Sequence, residues 1–270
     1  MVSVAPPSSS GNALAPLRLE RGLIAHELID EAVDTLKAMM GGDAEDVLDV
    51  CVDRLRARDR ARLSMVYDTF RETLIFRRIV TAPALIAVAS EMIGATRLHS
   101  PYQHCVFRMD LAGEHWRGFG WHQDYAYNML SDRFITAWLP LTPAGAVNGS
   151  IDVAASLSDR IYPVDICFKR DQDGVRRGTR DAFIAERLQP TFEANAEKLA
   201  LEPGDVALFN NRLVHRSGFN PGPRHRYSIQ VRFGDLLAPE VARRGWANRR
   251  SDGFDTFKAL HPHLVEYEEV

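Results

Sequence analysis

Cysteine is scarce in this 270-residue chain: Cys51, Cys105 and Cys167 stand far apart, and no CxxC pair occurs. A sparse, odd set provides no disulfide framework and suits reduced thiols in a cytoplasmic protein. Long apolar runs are missing too. None approaches the roughly 18 residues that span a bilayer, and Met1 to Asn12 lacks the charged-then-apolar pattern of a secretory leader. Nor is charge of one sign in excess. A net charge of -3, from 33 basic and 36 acidic residues, gives no electrostatic reason to expect nucleic acid or an anionic membrane as partner. There is no HExxH helix to supply a hydrolytic zinc site with its general base. What the chain does have is 46% hydrophobic and 26% charged residues, enough for a sizeable core.

The apolar residues are organised in two textures. From about residue 20 to 94 they recur at helical spacing, as in Leu23, Ile24, Leu28, Ile29, Ala32, Val33 and Leu36, with Gly41-Gly42 ending that segment. Pro83 opens a further helical run in a position suited to a first turn. After Gly94, short β-rich runs follow: Gln103–Met109, Phe134–Leu141, Asn148–Val153, Leu199–Phe209 and Arg224–Phe233, divided by Pro, Gly and Asn. Helices first and many short strands later predict a mainly β roll or barrel with flanking N-terminal helices. Residues 1–15 are expected to be disordered, 95–240 to form the β core of a single domain, and 241–270 to be a C-terminal extension. Residues 156–195, rich in charges of both signs, read as a solvated insertion or lid.

The residues that carry chemistry begin with Trp121-His122-Gln123-Asp124. On an extended chain, residues two apart share a face, so His122 and Asp124 can converge on one ion. His215, far along the chain after LEPGDVALFN, offers a third ligand. Two imidazoles and one carboxylate on one side of a metal leave the opposite positions open, the arrangement iron(II) needs for a chelating co-substrate and dioxygen. Zinc accepts the same three groups, and an isolated H-x-D also occurs as an ordinary hydrogen-bonded pair. A rival cluster, His261-Pro262-His263, reads as a solvated tail feature.

In Arg224–Phe233 the residues Tyr227, Ile229, Val231 and Phe233 share one face, and Arg226, Ser228, Gln230 and Arg232 the other. If the apolar face packs on helices, the polar one looks into the roll. A buried arginine there is costly unless paired, and an anionic ligand would pair it. Its planar fork suits a carboxylate, with Ser228 as an added donor. A simply wet face is the other possibility.

Taken together, WHQDYAY, ITAWLPL, NGSIDV and LEPGDVALFNNRLVHRSGFNPGPRHRYSIQVRF resemble the phytanoyl-CoA dioxygenase family of iron(II)/2-oxoglutarate oxygenases. The resemblance covers about residues 66–235. It implies a double-stranded β-helix (jelly-roll, cupin-like) core, with His122, Asp124 and His215 as iron ligands. In the family an arginine eleven positions after the distal histidine holds the far carboxylate of 2-oxoglutarate; here that is Arg226, joined by Ser228. Trp138 and Thr136 are implied beside the co-substrate, and His104 on an earlier strand lining the same pocket. Arg232 has no counterpart in the motif and is expected to tolerate alanine. Relatives commonly carry a Gly-Ser-His turn at the substrate mouth after the NGS strand, where this chain reads Ala155-Ser156-Leu157-Ser158, so the resemblance does not carry over any family substrate, acyl-CoA included. The implied activity is oxidation of a small molecule with dioxygen, 2-oxoglutarate being converted to succinate and CO2. A cupin-like metal enzyme using no 2-oxo acid, and an inactive binding protein on the same fold, are the alternatives.

Overall fold

The helically spaced stretch folds as five helices in this computed structural model, which describes residues 14–114, 118–127, 131–170, 173–218, 220–243, 245 and 252–269. The expected disorder at the N-terminus falls largely on residues 1–13, outside the described residues. After a short strand β1 (Leu17–Glu20) come α1 (His26–Met39), α2 (Leu48–Arg58), α3 (Arg60–Phe70), α4 (Leu74–Val80) and α5 (Pro83–Ile93). Their ends are set locally. Asp59 and Thr73 accept the backbone N–H groups of Arg62 and Phe76, Pro83 opens α5, and Gly94 closes it at φ 70°.

The β-rich part gives β2 (Leu98–His99), β3 (Val106–Asp110), β4 (Ile135–Pro140), β5 (Ile151–Val153), β6 (Val164–Arg170) and β7 (Arg176–Ile184). A helix α6 (Gln189–Ala194) precedes β8 (Glu197–Lys198), β9 (Val206–Asn210), β10 (His215–Ser217) and β11 (Arg226–Asp235). The chain then runs through α7 (Pro239–Arg243) and α8 (Asp252–Leu260) to β12 (Val265–Glu268). A six-stranded sheet has the order β1-β9-β4-β11-β2, with β3 also pairing β11, and a second sheet has the order β10-β5-β8.

Alternation on three neighbouring strands decides which residues meet the helices. Ile135, Ala137 and Leu139 of β4, Val206 and Leu208 of β9, and Tyr227, Ile229, Val231 and Phe233 of β11 join one core with the α1–α5 residues Leu36, Leu55, Phe70, Phe76 and Leu85. The intervening Trp138, Ala207 and Phe209 pack instead with Ile151 and Val153 of β5, between the two sheets. The predicted division of β11 into an outward apolar face and an inward polar one is thus what the structure has. Among the described residues no single helix is long and apolar enough to cross a membrane.

Residues 156–195 depart from the expected solvated insertion. β6 and β7 form an antiparallel pair, and β12 adds to β6 in parallel, making a third sheet. Tyr162, Val164, Ile166, Ala182, Ile184 and Phe192 are buried. Mixed charge obscured this, because every second residue of a two-layer strand is free to be charged. The His261 cluster is corrected as well. His261 packs on Phe257 and its Nε2 lies 3.2 Å from the Tyr125 hydroxyl, so only its neighbour His263 behaves as a surface group.

Candidate metal centre

His122 and His215 meet through a backbone bridge: His122 N donates to His215 O at 2.9 Å, and His215 N to His122 O at 3.1 Å. The strand-like pairing puts their rings 4.0 Å apart, centroid to centroid. Asp124 joins them after an extended Gln123, at the start of a 3-10 turn and not on a continuous strand. Its Oδ1 lies 3.7 Å from His122 Nε2. One ligand atom from each of the three lies within 4.8 Å of the others, and all three residues are buried. Each imidazole is oriented by the chain. His122 Nδ1 lies 2.8 Å from Gly120 O and His215 Nδ1 lies 2.9 Å from Leu213 O. A carbonyl can only accept, so Nδ1 carries the proton and each Nε2 lone pair is left for a cation. Burial lowers the pKa of both histidines, and for His122 its neighbour His215 lowers it further.

Asp124 is charged in this setting. Burial alone would raise its pKa, but Arg232, the two histidines and the Thr136 hydroxyl outweigh that and hold it at about 2. Thr136 Oγ1 donates directly to Asp124 Oδ2, and Thr136 is not among the residues that line the adjoining cavity. Arg232 is tied to the same group. Its Nη2 is 3.8 Å from Asp124 Oδ2 and its Nη1 donates to His104 O at 2.6 Å. Neutral imidazoles, one oriented carboxylate and the buried surroundings suit a divalent cation.

Arg226 is almost wholly buried, as the inward face of β11 requires, but it is not waiting for an ion. Its Nη2 lies 3.1 Å from Asp110 Oδ2, and its Nη1 donates to Ser150 O at 2.5 Å and Gly218 O at 3.1 Å. Gly218 permits this approach, since a Cβ there would stand 2.9 Å from both Ser150 O and Asp152 Oδ1. Arg108 Nη2 shares the same Asp110 at 2.6 Å. Burial opposes ionisation of Asp110, yet the two guanidiniums hold its carboxyl well below the usual range. Two cations therefore share one carboxylate. Nearby on the same inward face, Ser228 Oγ is buried with no hydrogen-bond partner, as is Ser150 Oγ. Orphaned hydroxyls are rare in folded chains and point to a missing acceptor.

A cavity of about 730 Å³ opens onto the triad. Arg226, Gln230 and Arg232 of β11, Trp138 of β4, Phe209, and His104 line it. His104 is buried in a short 3-10 turn before β3, not on a strand, so its side chain reaches the cavity while its carbonyl serves Arg232. The Ala155–Leu157 turn is not among the lining residues. Sequence reasoning missed Arg108 and Asp110, which only the β3–β11 register brings beside Arg226. It also missed the rings Phe119, Tyr127, Phe168 and Phe254 at the cavity wall. The spacing of Arg108 and Asp110, two apart at the end of a β-rich run, was the available signal.

The chain matches the family described as Phytanoyl-CoA dioxygenase (PhyH) over residues 21–228. No curated protein is detectably similar to it in sequence. Among solved structures the fold is similar to the apo form of the non-heme monooxygenase ThoJ, at 17% identity and a TM-score of 0.54, over 83% of this chain and 75% of that one. It is also similar to apo EctD from S. alaskensis, at 15% identity and 0.53, over 82% and 74%. The epimerase SnoN in complex with Fe3+, alpha ketoglutarate and nogalamycin RO shares the fold at 16% identity and 0.50, over 82% and 80%. At these identities the likeness concerns the architecture.

Proposed function

Because this chain belongs to the phytanoyl-CoA dioxygenase family, we propose that it is an iron(II)- and 2-oxoglutarate-dependent oxygenase that hydroxylates or otherwise oxidises a small-molecule metabolite. The observation that carries this reading is the buried His122–Asp124–His215 cluster facing the same cavity as Arg226. His122, Asp124 and His215 would hold iron, through two fixed Nε2 atoms and a carboxylate kept ionised. Arg226 with Ser228 would hold the far carboxylate of 2-oxoglutarate, Arg226 sharing Asp110 with Arg108. When bound, iron and 2-oxoglutarate supply the activation of dioxygen, with release of succinate and CO2.

The chain's own contribution is orientation and exclusion of water. Thr136 and Arg232 fix Asp124, the Gly120 and Leu213 carbonyls fix the imidazoles, and Trp138 and Phe209 close the floor between the sheets. The retained Asp124 supplies a third ligand, which favours hydroxylation, desaturation or ring chemistry over halogenation. Residues 1–270 act in this reading as one oxygenase domain, in the cytoplasm, on a small molecule and not on nucleic acid or a membrane.

One observation favours a cupin-like metal enzyme that uses no 2-oxo acid: the Arg226 fork already has Asp110. Purified protein reconstituted with iron(II) and supplied with 2-oxoglutarate and air separates the two. Iron-dependent succinate formation, absent with zinc and absent in Asp124→Ala, is expected. No succinate under any metal, with iron bound at one equivalent, would favour the second reading.

A further inference from the structure

Each arginine that lines the cavity already has a carboxylate partner without a substrate. On the inner wall Arg108, Arg226 and Arg232 face Asp110, Asp124 and Asp181, three of each sign. Asp110 and Asp124 have the arginine partners already described, and the charge of Asp181 acts on Arg108. Nearer the rim, Arg216 donates to Asp152 at 2.9 Å and is also paired with Glu193, while Arg180 is paired with Glu268. Asp255 lies 3.5 Å from Lys258. Iron(II) and doubly ionised 2-oxoglutarate cancel each other, so loading them adds no net charge. A charged third molecule would be buried without a counter-charge, which a desolvated site disfavours strongly.

What the wall offers besides charge is aromatic. Phe119 lies edge-on to the His122 ring, with centroids 4.4 Å apart, and 5.5 Å from Tyr127. Tyr127 is 5.1 Å from Phe254 of α8, and Phe168 of β6 lies on the same cavity. The Tyr127 hydroxyl donates to Ala182 O at 2.9 Å and accepts from Ala182 N at 2.6 Å, so its polar end is spent and its ring is what remains. Four rings from four separate segments thus border the space beside a metal-facing imidazole. About 730 Å³ is within the range of sites for drug-sized ligands, far more room than a five-carbon diacid fills.

We propose that the substrate is an uncharged, ring-bearing small molecule whose rings are held against Phe119, Tyr127, Phe168 and Phe254. This rests on the oxygenase reading and adds the substrate class to it. Aromatic pairs contribute through offset and edge-on contacts beyond the area they bury, and such contacts select for ring faces.

The test uses the full chain loaded with nickel(II) in place of iron, which prevents turnover, and with 2-oxoglutarate. Calorimetric titrations compare 2-naphthol with 2-naphthoate, the same ring system without and with a charge. 2-Naphthol is expected to bind at least ten-fold more tightly than 2-naphthoate. Phe254→Ala should weaken 2-naphthol by about ten-fold and Phe254→Leu by less, because leucine keeps the apolar volume without the ring. Phe254 is only half-buried, so both variants are expected to fold. Equal or tighter binding of 2-naphthoate, or no binding of either probe while 2-oxoglutarate binds normally, overturns the substrate class alone. Failure of 2-oxoglutarate itself to bind the nickel protein overturns the oxygenase reading and this inference with it.

Discussion

Arg226 Nη2 stands 3.1 Å from Asp110 Oδ2, and Arg108 Nη2 stands 2.6 Å from Asp110 Oδ1, so one buried carboxylate lies between the buried Arg226 guanidinium and the half-buried one of Arg108. Removing that charge leaves the two cations facing each other. Asp110→Asn should therefore destabilise the ligand-free protein by about 3–5 kcal/mol, as for a broken buried pair, and lower its melting temperature. A dicarboxylate would then supply the missing anion. Saturating 2-oxoglutarate with metal should raise the variant's melting temperature by more degrees than it raises that of the unmodified protein. An equal or smaller rise would mean that Asp110 helps to hold the co-substrate and does not compete with it.

Arg226 itself gives the complementary test. If its fork holds the far carboxylate, Arg226→Ala leaves that group buried and unpaired, at a cost of about 3–5 kcal/mol or roughly two to four decades in affinity. Arg226→Lys keeps the charge without the fork and should recover part of the loss. Iron content should stay near one equivalent in both, since neither the imidazoles nor Asp124 touches Arg226. A 2-oxoglutarate titration with iron measured in parallel checks this. Unchanged apparent affinity in Arg226→Ala would remove Arg226 from the co-substrate site.

Much of this site was legible in the sequence because its parts follow short-range rules. The period-2 division of β11 placed Tyr227 and Ile229 on the helices and Arg226, Gln230 and Arg232 inside, and the structure agrees. The helical stretch before Gly94 was equally plain, down to Pro83 and Gly94 as its last start and stop. What escaped depends on contacts between distant segments. Asp110 becomes the partner of Arg226 only through the β3–β11 register, and Thr136 becomes the partner of Asp124 only because β4 lies beside the turn that follows His122. The strands of 164–184 were hidden for another reason. They also carry charges, Arg170 and Arg180, that pair with Glu269 and Glu268 near the C-terminus, so the segment reads as solvated until β12 is placed against it.

Arg232, expected from the family motif to tolerate alanine better than Arg226, has a position that predicts a role in stability. It is the nearest cation to Asp124, at 3.8 Å, and its own Nη1 is held by the His104 carbonyl. Arg232→Met should leave the Asp124 charge without a counter-ion in the metal-free protein and lower its melting temperature. The same change removes a positive charge from beside the metal position. Added zinc or nickel should then stabilise Arg232→Met by more degrees than it stabilises the unmodified protein. A melting temperature unchanged from the unmodified protein, with and without metal, would show that Arg232 and Asp124 do not interact.

The pH dependence of stability follows from the two imidazoles. Burial lowers the pKa of His122 and of His215 in the folded chain, whereas an unfolded histidine titrates near 6.5. Below about pH 6.5 the unfolded chain therefore binds protons that the folded chain refuses. Stability then rises with pH through this window and is lost as pH falls. Asp124 acts lower down. Its folded value of about 2 against an ordinary 3.8 gives stability that is present above 3.8 and lost only on stronger acidification. Between pH 7.5 and 5.5 the histidines are thus the site's contribution, and Asp124 is silent. Melting curves of metal-free protein should shift to lower temperature across this range. In the His122→Gln, His215→Gln double variant the shift should be shallower, because glutamine binds no proton in either state; His225 and His261 remain in both proteins and cancel in the comparison. The low folded values also mean that a metal meets little competition from protons, so metal binding to the unmodified protein should change little between pH 7.5 and 6.5. Parallel slopes for the double variant and the unmodified protein would show that His122 and His215 are not held neutral by burial.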